Sequence, residues 1–230
     1  MKNYYNETNL EKFTAELKNA MDRVKAGGPV KVSISTGNKK MGLVGSVSLL
    51  PFLTCPARCK ETCGAYCYAA KLAALRPSVL KSYSNNTAIA ALRPDLYWVQ
   101  VRAAAAGFRF FRFHVSGDIM NGAYFAEMVK TAEMLPETRF LAFTKRFETV
   151  NAWIAENGSL PSNLKILFSG EKNLKPVNPY NLPETTVYSD EKEFNREKWI
   201  TCGGNCFTCG CAGCGCWNAN NGETVAFKMH

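Results

Sequence analysis

The sequence predicts an α/β fold, a partial and open β/α barrel of mostly parallel strands that carries a cysteine-rich segment at its carboxyl end. Three observations lead there. From Phe108 onward, short apolar runs suited to strands alternate with longer amphipathic runs suited to helices, the pattern of a parallel sheet with helices outside. Successive strand ends carry polar groups, as parallel α/β folds do where they place their sites. The repeating units are too few to close an eightfold barrel. At 230 residues and 47% hydrophobic content the chain is long enough for one sizeable core. The expected division is a barrel over 1–200 and a metal-binding tail over 201–230 packed on it, together one domain.

The elements follow in order. Thr8 to Lys25 sets Leu10, Phe13, Leu17, Met21 and Val24 on one stripe, with a Thr8/Glu11 capping box and Gly27-Gly28-Pro29 as the stop, and reads as a docking helix. Val30 to Thr36 and Gly45 to Leu50 read as strands, separated by a basic loop without the spacing of a phosphate-binding Walker motif. Helices are expected over Ala65–Leu75, Ser78–Leu92 and Asp95–Ala106, with Pro77 and Pro94 where a first helical turn tolerates the missing amide hydrogen. Beyond them come strands at Phe108–Val115, Arg139–Phe143, Leu164–Phe168, Thr186–Tyr188 and Val225–Lys228, with helices at Tyr124–Leu135 and Phe147–Asn157 between the earlier ones. Their polar ends read His114-Val115-Ser116-Gly117-Asp118, Thr144-Lys145-Arg146, Ser169-Gly170-Glu171, Ser189-Asp190 and Met229-His230.

Ten cysteines form two separated groups. Cys55, Cys59, Cys63 and Cys67 recur every fourth residue, a spacing that brings side chains to one side of a helical turn. Cys202, Cys206, Cys209, Cys211, Cys214 and Cys216 crowd into CGGNCFTCGCAGCGCW, whose glycines let the backbone wrap closely round a centre. No apolar run is long enough to span a bilayer and no secretory segment opens the chain, so the expected compartment is the cytoplasm, where clustered thiols are metal ligands more often than disulfides. Zinc sites are commonly built from two short-spaced pairs. A fourfold repeat favours an iron–sulfur cluster of the 4Fe–4S type in the first group, with a second cluster or zinc in the second; His230 or Asp190 could complete that site.

Two function classes follow from the remaining chemistry. His114, Asp118, Lys145 and Glu171 at the strand ends, facing the first thiol group, are the candidate catalytic residues, with Ser116, Gly117 and Arg146 as candidate cofactor contacts. For His114 the competing reading is a buried, hydrogen-bonded histidine, and for Asp118 a helix cap. The net charge of +9 is concentrated: residues 41–117 hold nine Lys or Arg against Glu61 and Asp95. A basic surface of this kind attracts phosphates, so the alternative is a non-enzymatic, metal-stabilised nucleic-acid-binding protein, using Arg58, Lys60, Arg76, Arg102 and Arg112.

CPARCKETCGAYCYAAK, FRFHVSGD, FTKR and the terminal stretch running from CW to FKMH resemble the gene product 88 family of phage and mobile-element proteins. That resemblance implies a gene carried on a phage or integrated element. A more distant resemblance is to radical S-adenosylmethionine enzymes, which implies a partial barrel, a cluster loop after the first strand and S-adenosylmethionine as cofactor. Tyr66 stands where those enzymes place an aromatic residue before the last loop cysteine, and Ser116-Gly117-Asp118 stands where they place a Gly-Gly-Glu-like motif. Their loop spaces its cysteines by three and then two residues; Cys59, Cys63 and Cys67 are spaced by three and three, and Cys55 supplies a fourth thiol.

Overall fold

Phe110 to Phe113 reads Phe-Phe-Arg-Phe, and in an extended chain such a segment presents Phe111 and Phe113 to one side and Phe110 and Arg112 to the other. The whole architecture is built on that alternation. The computed structural model describes residues 3–39, 41–171, 173–190, 194, 199–204, 206 and 215–228. Within them are β1 (Ile34–Ser35), β2 (Gly45–Val47), β3 (Phe110–Phe113), β4 (Arg139–Thr144), β5 (Leu164–Ser169), β6 (Glu184–Tyr188), β7 (Trp199–Thr201) and β8 (Thr224–Lys228). They form one eight-stranded sheet in the order β1-β2-β3-β4-β5-β6-β8-β7. Only the β1–β2 pair is antiparallel.

The helices are α1 (Glu7–Lys25), α2 (Tyr68–Leu75), α3 (Pro77–Leu92), α4 (Pro94–Ala105), α5 (Gly122–Met134), α6 (Phe147–Asn157) and the single turn α7 (Gly215–Asn218). From β2 to β6 the strands neighbour one another in chain order. Right-handed crossovers between sequential parallel strands put their helices on one face. The core confirms this: Phe111, Phe113, Phe140, Ala142, Ile166 and Phe168 pack with Tyr97, Trp98, Phe125, Met128, Val150 and Ile154 of α4, α5 and α6. The opposite, inner face holds Phe110, Leu141, Leu167 and Val225 with Cys216 and Trp217, and Phe143, Ile200, Cys202, Cys206 and Phe227 lie against them.

The α/β class and the mostly parallel sheet thus agree with the sequence reading, and β3, β4, β5, β6 and β8 lie within a few residues of the expected spans. Three local differences have physical causes. The expected strand from Val30 shrinks to two residues because Val32 and Ser33 donate their amides to the Gln100 and Asn86 side chains, not to a neighbouring strand. The first helix is capped by Asn6, whose side chain accepts from the Asn9 amide, two residues before the expected Thr8/Glu11 box. The tail adds β7, and it joins the sheet directly, since β8 lies between β6 and β7. Cys209, Cys211, Cys214 and His230 lie outside the described residues. Among those described, no helix is long and apolar enough to cross a membrane.

Trp217 fills the amino-terminal end of the inner face. Its ring meets Phe110 edge-on at 5.1 Å, its carbonyl accepts from Arg139 at 2.7 Å, and its indole nitrogen is buried without a hydrogen-bond partner. Trp217→Ala is therefore expected to cost about 3–5 kcal/mol in urea unfolding, as truncations of large buried rings do. Trp217→Phe should cost less, because it keeps a buried aromatic ring against Phe110 and loses no hydrogen bond, the indole nitrogen having none.

Candidate functional site: a thiol run over a buried ion pair

The run from Pro51 to Cys67 is held over the carboxyl ends of β3, β4 and β5. It folds as two short 3-10 turns, Ala57–Lys60 and Cys63–Tyr66, in place of the expected start of a helix at Ala65. Pro56 enters the first turn in an extended conformation, and Gly64 comes so close to the Cys59 carbonyl that an added Cβ would stand 2.6 Å from it. Regular helix begins only at Tyr68, where the Cys67 sulfur accepts the Ala70 amide at 3.5 Å.

Asp118 fixes the floor beneath this run. Its carboxylate accepts from the Thr144 hydroxyl at 2.6 Å, the Ile119 amide at 2.7 Å and the Lys145 amide at 2.9 Å. Burial raises its pKa, and those hydrogen bonds oppose the rise. The Asp118 amide donates to Thr54 Oγ1 at 3.2 Å, and Arg146 Nη2 donates to the Thr54 carbonyl at 3.1 Å. Further anchors come from Arg58 with Glu148 at 2.6 Å, and from the Tyr68 hydroxyl, which donates to the Val115 carbonyl.

Lys145 and Glu171, each from the end of its own strand, meet beneath the thiols. Lys145 Nζ lies 2.9 Å from Glu171 Oε1, and both side chains are at least nine-tenths buried. The Tyr66 hydroxyl donates to Glu171 Oε2 at 2.6 Å, so both carboxylate oxygens are engaged. The Cys59 thiol is in hydrogen-bond contact with Cys55 and with Cys63. Its pKa is raised, first by the Cys55 contact and then by burial; that of Cys63 is raised by the Cys59 contact and by burial, with Lys145 opposing. Burial raises Cys67 as well. Burial alone would pull Lys145 down, but Cys63 and Glu171 outweigh it, and the ammonium is held charged.

None of the described cysteines is in a disulfide. The donor set is chemically suited to iron or zinc, with soft thiols touching in succession from Cys55 through Cys59 to Cys63 and a cation beneath them. Among the described residues, no group of three or more Cys, His, Asp or Glu side chains stands in an arrangement that could hold a metal ion. In the second group the Cys202 and Cys216 thiols are in contact; Cys216 is raised by that contact and by burial, while the same contact holds Cys202 down.

The other candidates fall into two sets. Ser116 and Gly117 turn the chain at the end of β3: the Ser116 carbonyl accepts from the Leu49 amide, and Gly117 has φ +78° with Thr54 Oγ1 2.6 Å from where a Cβ would stand. His114 is turned toward the helix layer. It has φ +59°, its Nε2 lies 3.0 Å from the Tyr124 hydroxyl, and that hydroxyl is 2.8 Å from Tyr97's. Burial, with Arg112 nearby, pushes the imidazole pKa down to about 3. The sequence reading left Thr54, Thr144 and Tyr68 without a role and noted Tyr66 only through a resemblance; period-two alternation in Phe-Arg-Phe-Phe-Arg-Phe could have placed Arg112 on the inner face.

This is an α/β protein with a thiol-rich site at the carboxyl ends of a parallel sheet. The chain belongs to the gene product 88 family, which it matches over residues 9–201. The match takes in the first thiol run and ends one residue before Cys202. Comparison with curated proteins found no match, and comparison with solved structures found none either.

His114 titrates well below the ~6.5 of an unfolded histidine. The unfolded chain therefore takes up the proton first, so the stability tied to neutral His114 is complete above about pH 6.5 and is lost as the pH falls toward 3, by at most about 1.4 kcal/mol per unit. His114→Asn, which tolerates positive φ, should flatten that slope in unfolding measured between pH 7 and 4. For the ion pair, Lys145→Met strands a buried carboxylate and is expected to cost roughly 3–5 kcal/mol; the double variant Lys145→Met/Glu171→Met should be clearly more stable than that single one.

Proposed function

We propose that this protein is an iron–sulfur redox enzyme of a phage or mobile element, acting in the cytoplasm on a small substrate at the open end of a partial β/α barrel. The observation that carries the reading is the placement of touching thiols, Cys59 buried and Cys55 and Cys63 partly so, beside the Lys145–Glu171 ion pair at the carboxyl ends of β4 and β5. Cys55, Cys59, Cys63 and Cys67 would hold the cluster, which when bound supplies one-electron transfer. Lys145 sets a fixed positive charge against the thiolates, Glu171 and Tyr66 hold that charge in place, and Asp118 sets the Lys145 backbone. Cys202, Cys206, Cys209, Cys211, Cys214 and Cys216 would hold a separate centre, an iron–sulfur cluster or zinc. The nucleic-acid alternative draws less support, because Arg58 and Arg102 are paired with Glu148 and Glu127 and Arg112 lies on the inner face. That leaves Lys60 and Arg76, of the five, as the exposed pair.

Anaerobic purification followed by iron, sulfide and zinc analysis tests the reading. Iron and acid-labile sulfide are expected in the wild type and should be lost in Cys63→Ala/Cys67→Ala, while Cys206→Ala/Cys209→Ala should keep the first centre. Stoichiometric zinc without sulfide in the wild type would defeat it. Adding S-adenosylmethionine to the reduced protein decides one extension: reductive cleavage would bring radical chemistry into the reading, and intact cofactor would confine it to electron transfer.

A further inference from the structure

Most cations around the sheet ends have an oxygen partner. Lys145 has Glu171, Arg102 has Glu127, Arg139 has the Trp217 carbonyl and Asn218, and Arg146 has the Thr54 carbonyl. Arg112 differs in having a neutral hydroxyl, that of Tyr68, as its oxygen partner. It sits in the middle of β3, paired in register with Ser46 and Leu141, on the face opposite Phe111 and Phe113. Its guanidinium stacks over the Phe143 ring at 4.5 Å, its Nε is buried without a hydrogen-bond partner, and among the described residues no carboxylate lies within ion-pair distance. The groups that feel its charge are the Tyr68 hydroxyl, His114, and Cys202, Cys206 and Cys216; Tyr68 in turn adjoins Cys63 and Cys67. A half-buried guanidinium packed against an aromatic ring, with no carboxylate to answer it, is a seat prepared for an anion.

We propose that Arg112 is the anchor for an oxyanion, the carboxylate or phosphate of a small substrate seated on the inner face between the two thiol groups. The Phe143 ring packed against the guanidinium positions it, which makes the seat geometric as well as electrostatic, and Tyr68 stands beside it as a hydroxyl partner. The proposal deepens the reading of the site as a small-molecule enzyme by giving the substrate's recognised group. Its test reads binding alone, so its failure would leave the redox reading standing, and the absence of iron would leave this one standing.

The probes are inorganic phosphate and acetate, titrated calorimetrically into the full-length protein at constant ionic strength. Wild type is expected to bind at least one of them with a dissociation constant at or below about 1 mM. Arg112→Met should weaken that binding about tenfold or more, and Arg112→Lys, which keeps the charge and loses the fork, should fall between. Arg109→Gln removes an exposed positive charge from the residue just before β3 and should bind as wild type does, which separates a seat from general basicity. Thermal unfolding of each variant checks that it is folded, and phosphate protection of the wild type against heat gives a second reading that a misfolded variant cannot imitate. Wild-type protein that binds neither anion, or Arg112→Met that binds as tightly as wild type, would overturn the proposal.

Discussion

The buried carboxylate of Asp118 is the interaction on which the rest of the site depends. It joins three chain segments that are far apart in sequence: its own turn after β3, the end of β4 through Thr144 and Lys145, and, through its amide and Thr54, the residue just before Cys55. A charge taken out of water at this depth is tolerated only with a full set of donors, and three donors converge on it. Those donors must stay in place for the carboxylate to stay charged. The distances that matter for chemistry are thereby set by a group that need not take part in it.

The two faces of the sheet divide the work. Between sheet and helices the packing is apolar and aromatic, and the polar groups there, such as His114 with Tyr124 and Tyr97, are spent on one another. The inner face instead keeps groups whose charge is incompletely answered. Lys145 faces thiols as well as a carboxylate, and Arg112 faces thiols and a ring. Electrostatic forces act at greater strength in such a setting than at the surface, which is why a site gathers there even though the helix face is the better packed.

What could be read from the sequence was what depends on period and punctuation. Alternation in Phe110–Phe113 and Arg139–Thr144, and Pro77 and Pro94 at first helical turns, gave strands and helices close to those observed. The polar strand ends found Asp118, Lys145 and Glu171, because a parallel sheet brings successive carboxyl ends together whatever the loops do. Spacing failed for the thiol run, since a repeat of four describes a continuous helix and Pro56 and Gly64 break this one into turns. Nor could it show that Lys145 pairs with Glu171 while Arg146 reaches Thr54, for adjacent residues at a strand end point to opposite sides and the choice belongs to the tertiary packing. For His114 the observed state is the competing one, a buried and hydrogen-bonded histidine, because the end of a strand supplies polar residues to both faces and this one turns toward the helices.

The tail shows how the second thiol group comes to share a surface with the first. Because β8 enters between β6 and β7, the chain leaving β7 must return across the sheet before it can pair, and α7 is part of that return. Gly215 permits it, as an added Cβ would stand 2.6 Å from Ile200 and 3.3 Å from Val225. Laid this close on β7 and β8, the turn brings Cys216 against Cys202 and drives Trp217 under β3 and β4. Trp217 thereby fills the amino-terminal end of the inner face, and Arg112 is placed within electrostatic reach of Tyr68, which adjoins the first thiol run, and of Cys202 and Cys216 in the second.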